Sequence, residues 1–457
     1  MIALWTVAKR SWRFRAGLIG GTTALLSLNL LISGWRYWWN QAPTISVPPR
    51  PPAPNLNGFD VLRNASATLT HTDIIDGYGS HAPSLPESRH GKPISPAEES
   101  AAVAANQAAL TATRRSLTLP FVSPAQRTVD SNLTPLAHFR EAARLLSLEG
   151  HVHEARGEYD AAAQSRLDAM QLGADQIPHG GALISYLVGI ACEAIGSRPL
   201  WSLSEKLTAP EARAAALRLE QIDSRRILIA DAITEEKWAT EAGIARLFLA
   251  PDKNIGTALL AVTSGKDSAA AGSAPEGKLL SWQEQVHQGL CTLTTSKAQV
   301  IQHYDTYMTA LAARARLPYT AALPLPVVPE DSINASICQD FDSARLKAAD
   351  QQTKDSLLTT VLALRAYCVE HGAYPDSLIP LITDGYLTRI PIDPFDPARS
   401  PVRYRRTNSD RYLLYSVGPD GRDDNGHAID NPDTNGKQKR WVEKGAQGDY
   451  VVGINLY

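Results

Sequence analysis

An acidic stretch near the C-terminus holds the residues best suited to bind a ligand. Its carboxylates, together with one that precedes the last apolar run, are Asp420, Asp423, Asp424, Asp430, Asp433 and Asp449. Like charges crowded into one loop repel one another unless water or a cation lies between them. Oxygen ligands suit calcium, and a site outside the cytoplasm needs only about 10⁻⁴–10⁻³ M affinity. The sequence therefore favours a calcium site; the alternative is a solvated loop partly neutralised by Lys437, Lys439 and Arg440.

The remaining sequence carries no complete catalytic motif, since HExxH, a Walker loop and a dinucleotide fingerprint are all absent from it. His151 and His153 are two residues apart, so on a helix they do not face each other. The stretch from Gly77 to His81 lacks the Gly-x-Ser-x-Gly order of a nucleophile elbow. Asp393 and Asp396 lie beside prolines, where shaping a turn explains them better than acid catalysis. These patterns identify no catalytic residue.

A long helix and a small antiparallel sheet must position the acidic loop. Apolar residues on one face predict a helix over 343–371, ended by Gly372. Alternating residues predict a hairpin of strands 402–405 and 412–417, with a turn at 407–410 and a further strand over 450–456. The predicted fold of residues 345–457 is therefore α+β.

The middle of the chain, 57–330, reads as an α-helical domain, because apolar residues recur at spacings of three and four. Within it, Ala155-Arg156-Gly157-Glu158-Tyr159-Asp160-Ala161-Ala162 resembles a tetratricopeptide hairpin near 136–173. In such hairpins a glycine and small alanines let two helices approach closely, over a repeat of about 34 residues. Because no second copy follows, the sequence predicts one or two hairpins and not a solenoid.

The first 40 residues predict a single transmembrane helix. Basic residues precede an apolar run from Ala16 to Gly34, and Trp35 to Trp39 supply an interfacial aromatic belt. The positive-inside rule places the N-terminus in the cytoplasm and the bulk of the chain outside it. The alternative is a cleaved signal peptide, whose apolar region would span only about 7–15 residues. Prolines in 41–56 then predict a stiff stalk.

Composition bounds the partners and the redox chemistry. The chain has 457 residues, a net charge of −2 and 44% hydrophobic residues. It is long enough for several domains, and it has no basic excess to hold a phosphate backbone, so we expect no nucleic-acid partner. Its four cysteines form no CxxC pair, which excludes a zinc ribbon and a dithiol redox motif. Outside the cytoplasm, one or two disulfides are possible, and their pairing stays open.

The C-terminal run resembles the periplasmic domain of the major, G-type pseudopilins of type II secretion. The matching pieces are Tyr374-Pro375 with Leu378, Tyr386-Leu387, Pro391 with Asp393-Pro394-Phe395, Tyr404, and the stretch from Tyr412 to Gly421. The resemblance covers about 345–457. It implies a calcium site with Asp420 as one ligand, Asp449 as the downstream carboxylate, and Asp423 or Asp424 adding charge. The chain departs from the family at Gly20-Gly21-Thr22, which no suitable glutamate follows, and in the helical region that separates its membrane helix from this domain.

Taken together, the sequence predicts a non-catalytic protein anchored in the bacterial inner membrane, with its bulk in the periplasm. We expect a helical body for protein contacts and a calcium-stabilised, pseudopilin-like module for interaction or assembly. The protein partner is not identified by the sequence. The alternative function is a membrane-anchored extracytoplasmic hydrolase with its site in the helical domain.

Overall fold

A computed structural model shows a mainly helical protein with a small three-stranded antiparallel sheet near the C-terminus. It describes residues 26–35, 37–39, 47–50, 52–78, 93–124, 133–249, 295–321, 324–331, 341–429 and 442–455, with positions 41, 45, 127, 334, 337 and 338. Behind a helical segment at 26–35, the helices are α1 (Gly58–Ser66), α2 (Thr72–Ile75), α3 (Pro96–Ala105), α4 (Gln107–Ser116), α5 (Thr134–Ala155), α6 (Tyr159–Gln171), α7 (Leu183–Ser204), α8 (Ala209–Ser224), α9 (Ile229–Leu249), α10 (Lys297–Ala315), α11 (Asp342–His371) and α12 (Ile379–Thr383).

The chain divides into two compact units. The first comprises Met1–Val47, Glu241–Tyr307 and Val327–Gln339; the second comprises Pro48–Thr240, Met308–Pro326 and Asp340–Tyr457. In the first unit, the buried Asn334 side chain donates to the carbonyl of Val300 at 2.9 Å and to Asp331 at 2.8 Å, tying the third segment to the second. The candidate site lies in the second unit.

The α5–α6 hairpin follows from two different glycines. Gly157 has a φ of +77° and ends the turn between the helices, where a residue with a Cβ would be strained. The close approach itself occurs at Gly150, where a Cβ would lie 3.1 Å from the carbonyl oxygen of Ala162. A single helical hairpin with small residues at its contact is therefore present where the sequence placed it.

One hydrophobic core runs through the second unit from the helical body into the C-terminal module. It includes Leu167 of α6, Leu200 of α7 and Leu219 of α8, and continues through α11 into the strands. Predicted helix 343–371 is confirmed as α11, which packs against both α7 and α8. Residues predicted as a helical domain and an α+β domain thus share this core.

The sheet comprises β1 (Arg403–Asn408), β2 (Arg411–Ser416) and β3 (Tyr450–Val451), in the order β1-β2-β3. Because Asn408 pairs with Arg411, the hairpin turn is tighter than the predicted 407–410. The prediction of a strand over 450–456 was too long. The strand ends because the backbone N–H of Val451 donates to the Asn455 side chain at 3.0 Å and the chain turns.

The predicted membrane helix lies partly outside the described residues. Its described part, 26–35, is helical and exposed, and the rings of Trp35 and Trp39 stack 5.8 Å apart just after it. Among the described residues, α7 is the one helix long and apolar enough to cross a membrane, and about half of it is buried. It packs against α5, α6 and α11, as a core helix of this unit does.

Candidate functional site

The acidic loop folds over the outer face of the β1–β2 hairpin. Arg403 and Tyr415 are cross-strand partners on that face, and both contact Asp423. The Arg403 Nε lies 3.2 Å from Asp423 Oδ2, and the Tyr415 hydroxyl donates to Asp423 Oδ1 at 3.0 Å. Burial opposes ionisation of Asp423, but bonds from the Asn425 N–H, Tyr415 and Arg403 together lower its pKa. Asp423 is therefore a paired, charged anchor of the loop.

The Asp449 side chain binds the backbone of the next part of the loop. This fully buried carboxylate accepts the backbone N–H of Asp424 at 3.2 Å and that of Gly426 at 2.6 Å. Its own backbone N–H donates to His427 O at 2.7 Å, and the Ile429 N–H donates to Asp449 O at 3.0 Å. Burial raises the pKa of Asp449 by more than these N–H groups lower it. The predicted proximity of Asp449 to the acidic loop is thus confirmed.

Asp420 and Asp424 play smaller parts. The Asp420 carboxylate accepts the backbone N–H of Arg422 at 3.1 Å, closing a local turn. Asp424 is exposed, and its backbone N–H is the group that contacts Asp449. Asp430 and Asp433, which the sequence also placed in this loop, lie outside the described residues.

Asp393 and Asp396 shape the proline-rich turn, as predicted. The buried Asp393 accepts the N–H of Phe395 at 3.0 Å, the Ser416 hydroxyl at 2.7 Å and the Val417 N–H at 2.8 Å. Asp396 accepts the Ala398 N–H at 2.7 Å. Their bonds go to backbone N–H groups, to hydroxyls and, for Asp396, to Arg403, so the turn is a structural support for the acidic loop.

The described carboxylates do not form a calcium cage. Across the part of the chain that the structure describes, no group of three or more His, Cys, Asp or Glu side chains could hold a metal ion. Calcium takes six to eight oxygen ligands. Here both oxygens of Asp449 accept backbone N–H groups, and Asp423 faces a guanidinium. As placed, the donors do not fit calcium, and calcium binding stays a prediction of the resemblance.

A buried charge centre joins α7, α8 and α11, and sequence reasoning missed it. Arg226 Nη1 lies 2.6 Å from Glu193 Oε1, Nη2 lies 2.7 Å from Asp355 Oδ2, and Nε lies 3.0 Å from Asp223 Oδ1. Glu193 and Asp355 are almost fully buried. Burial, which outweighs the attraction of Arg226, raises the pKa of Glu193 to about 8 and that of Asp355 to about 6. The signal in the sequence was Glu193, an acidic residue among the apolar residues of the first half of α7.

A π-helical turn packs beside this centre. Residues Leu172–Gln176 continue α6 with π geometry, and a Cβ at Gly173 would collide with the backbone of Gly189 and Glu193. Such turns often mark functional sites. Here the close approach of Gly173 to α7 accounts for the π geometry, and the buried charge centre beside it joins the helices.

Three polar side chains also converge in the helical body. The Tyr78 hydroxyl donates to buried Glu99, and His151 Nε2 lies 3.7 Å from the same carboxylate. His153 points elsewhere, since its Nδ1 lies 2.5 Å from Glu158. His151 and His153 thus have separate partners, and the absence of a joint metal site stays a prediction.

No family model, no curated protein and no solved structure matches this chain. The proposal for its function therefore rests on the sequence and geometry of the chain itself.

Proposed function

We propose that this chain is a membrane-anchored, non-catalytic protein of the bacterial envelope. Its helical body and its pseudopilin-like C-terminal module serve contacts with other proteins, and its N-terminal apolar segment spans the inner membrane. The observation that carries the proposal is the exposed apolar segment at 26–35, followed by tryptophan and tyrosine.

That segment presents large apolar side chains to its surroundings. Leu30 is 73% exposed and Leu31 is 72% exposed, and Leu26 and Leu28 are more than half exposed. Contiguous exposed apolar surface in water marks an interaction or membrane site. Aromatic side chains after it suit the membrane interface. A lipid environment supplies the cover that these side chains lack.

The stalk that follows is attached to the body of the second unit. Arg50 Nη1 donates to Ser123 O at 2.7 Å, and Arg50 Nη2 lies 3.2 Å from Glu235. Arg127 also pairs with Glu235, at 2.8 Å, and its guanidinium lies 3.9 Å from the ring centroid of Trp238. These contacts tie the part of the predicted stalk that belongs to the second unit to the rest of that unit.

The loop carboxylates of the C-terminal module have structural partners. Asp393 and Asp449 accept backbone N–H groups, and Asp423 pairs with Arg403. A set of this kind fixes the shape of exposed loops. Binding and catalytic residues lie disproportionately on loops held by a rigid scaffold, and the structural partners of these carboxylates favour binding over catalysis.

Carbonate extraction of membranes from cells that express the full chain tests the anchor. The wild-type chain should stay in the membrane pellet. Leu26→Arg with Leu28→Arg should release it, because these positions lie near the middle of the Ala16–Gly34 run and each arginine costs about 2.5–3.5 kcal/mol at the centre of a membrane helix. The matched control is Leu56→Arg with Leu133→Arg, at exposed leucines of the second unit. Extraction of the wild-type chain would contradict the proposal.

The second candidate is an anchored hydrolase, which the convergence of Tyr78, Glu99 and His151 favours. A buried carboxylate between a tyrosine and a histidine is a possible acid–base arrangement. Ester hydrolysis by the full chain that is lost in Glu99→Gln would select this function over the first.

A further inference from the structure

Arg403 occupies the centre of the C-terminal loops. Its Nη2 lies 2.6 Å from Asp396 Oδ2, its Nε lies 3.2 Å from Asp423 Oδ2, and its Nη1 donates to the carbonyl of Pro401 at 2.6 Å. One guanidinium thus connects the proline-rich turn, strand β1 and the acidic loop. An arginine stays charged at all ordinary pH values, and its fork of donors matches two carboxylates at once.

The Asp423 contact controls the part of the loop that follows. Asp423 directly precedes Asp424, whose backbone N–H donates to buried Asp449. Asp423 Oδ1 also accepts the Asn425 N–H at 3.0 Å. Holding the Asp423 carboxylate against β1 therefore sets the position of the 424–426 segment that Asp449 clasps. Without a cation beside it, Asp423 would face the neighbouring carboxylates of Asp424 and Asp449, and like charges would push the loop outward.

We propose that Arg403 is the resident counter-cation of the acidic loop, so that the loop closes over the sheet without a bound metal. The resemblance implies calcium for this role, and the described donors disagree with it. A tethered guanidinium does not dissociate, whereas an extracytoplasmic calcium site empties when the ion falls below about 10⁻⁴–10⁻³ M. The module therefore keeps its loop closed whatever the calcium concentration. This inference is independent of the membrane anchor, which the carbonate extraction tests separately.

Hydrogen exchange of the full chain in detergent micelles tests the proposal. The measured quantity is the protection of backbone amides in 420–429, with excess EGTA and with about 5 mM calcium. This calcium concentration exceeds the dissociation constant expected of extracytoplasmic calcium sites. Wild-type protection should be the same in both. Arg403→Gln should lower it about tenfold in EGTA, because a charge-assisted hydrogen bond to a half-exposed carboxylate is lost. The matched control is Arg405→Gln, which removes an exposed arginine from the same face of β1 and should leave protection unchanged.

Asp423→Asn distinguishes the contribution of Asp423 from that of Asp396, the other carboxylate that Arg403 contacts. It keeps the Asp396 pair and removes the loop charge that Arg403 neutralises, so the attraction to Arg403 and the repulsion from Asp424 and Asp449 are lost together. Protection should therefore fall less than in Arg403→Gln, and Asp423→Asn added to Arg403→Gln should restore part of that variant's loss. The wild-type comparison with and without calcium gives the answer if Arg403→Gln does not fold. Protection of the wild-type loop that appears only with calcium would overturn the proposal. So would Arg403→Gln behaving as Arg405→Gln, or no recovery of protection when Asp423→Asn is added to Arg403→Gln.

Discussion

Replacing Arg226 with methionine should destabilise the folded chain more than any surface substitution. Arg226 is the single arginine between Glu193, Asp355 and Asp223 in the buried charge centre, with contacts of 2.6, 2.7 and 3.0 Å. Its side chain is 7% exposed, against 2% for Glu193 and 1% for Asp355. Methionine keeps the apolar stem and removes the charge, so the effect reports on the two carboxylates left behind.

The magnitude follows from burial. Removing one partner of a buried pair costs about 3–5 kcal/mol, because the remaining charge has no compensation in the interior. Asp223 adds little, because it is partly exposed and surface pairs contribute about 0–1 kcal/mol. Because the pKa of Glu193 is raised to about 8, that carboxyl is largely protonated at neutral pH, and Asp355 carries most of the charge that Arg226 compensates. We therefore expect a decrease of about 3 kcal/mol in the free energy of unfolding, at the lower end of that range.

Urea unfolding of the full chain in micelles, followed by circular dichroism, measures the change. Arg225→Met is the matched control, since Arg225 is the exposed neighbour of Arg226. The free energy of unfolding of this variant should lie within about 0.5 kcal/mol of the wild-type value. Adding Glu193→Gln and Asp355→Asn to Arg226→Met should restore part of the loss, because the uncompensated charges are gone. A transition midpoint of Arg226→Met equal to that of Arg225→Met, with the same slope, would refute this reasoning.

Two further predictions concern the same region. The pKa of Glu193 is about 8 in the folded chain against 4.5 as its ordinary value, because burial outweighs the attraction of Arg226. The folded state then binds the Glu193 proton more tightly than the unfolded state does, so the stability gained from this proton is complete below pH 4.5 and is lost as pH rises towards 8. Glu193→Gln should therefore flatten the pH dependence of the unfolding midpoint between these pH values. A pH dependence equal to that of the wild type would contradict the prediction. Gly173→Ala should cost about 1–3 kcal/mol, since its Cβ collides with the backbone of Gly189 and Glu193, whereas Gly150→Ala meets looser contacts and should cost less in the same urea assay.

The sequence predicted the C-terminal elements well where local signals were strong. The helix predicted over 343–371 begins one residue earlier, at Asp342, and ends at the same His371, because an apolar face and Gly372 define it. The last strand was predicted too long, since Val452 to Asn455 look strand-like and turn instead. The turn forms because Asn455 accepts the Val451 N–H, a contact that residue propensity does not encode.

The site was predicted only as a set of carboxylates. Asp449 was placed beside the acidic loop, and the structure confirms this proximity. Its partners are backbone N–H groups, which every residue other than proline carries. The sequence therefore does not show which of them Asp449 binds. The role of Arg403 depends on the β1–β2 register, which brings it opposite Tyr415 and under Asp423. A one-residue shift in register would turn Arg403 to the other face of the sheet.

The burial of α11 ties the C-terminal residues to the helical body. A helix on the edge of a domain buries residues at spacings of three and four. In α11, every residue from Leu357 to Leu364 is buried, so neighbours cover the helix on all sides. The sheet covers one side, while α7 and α8 cover others. Separating the module would expose this apolar surface and break the Arg226–Asp355 pair, which fixes the position of α11 along the helical body. The helical body therefore supplies part of the core on which the acidic loop and its arginine depend.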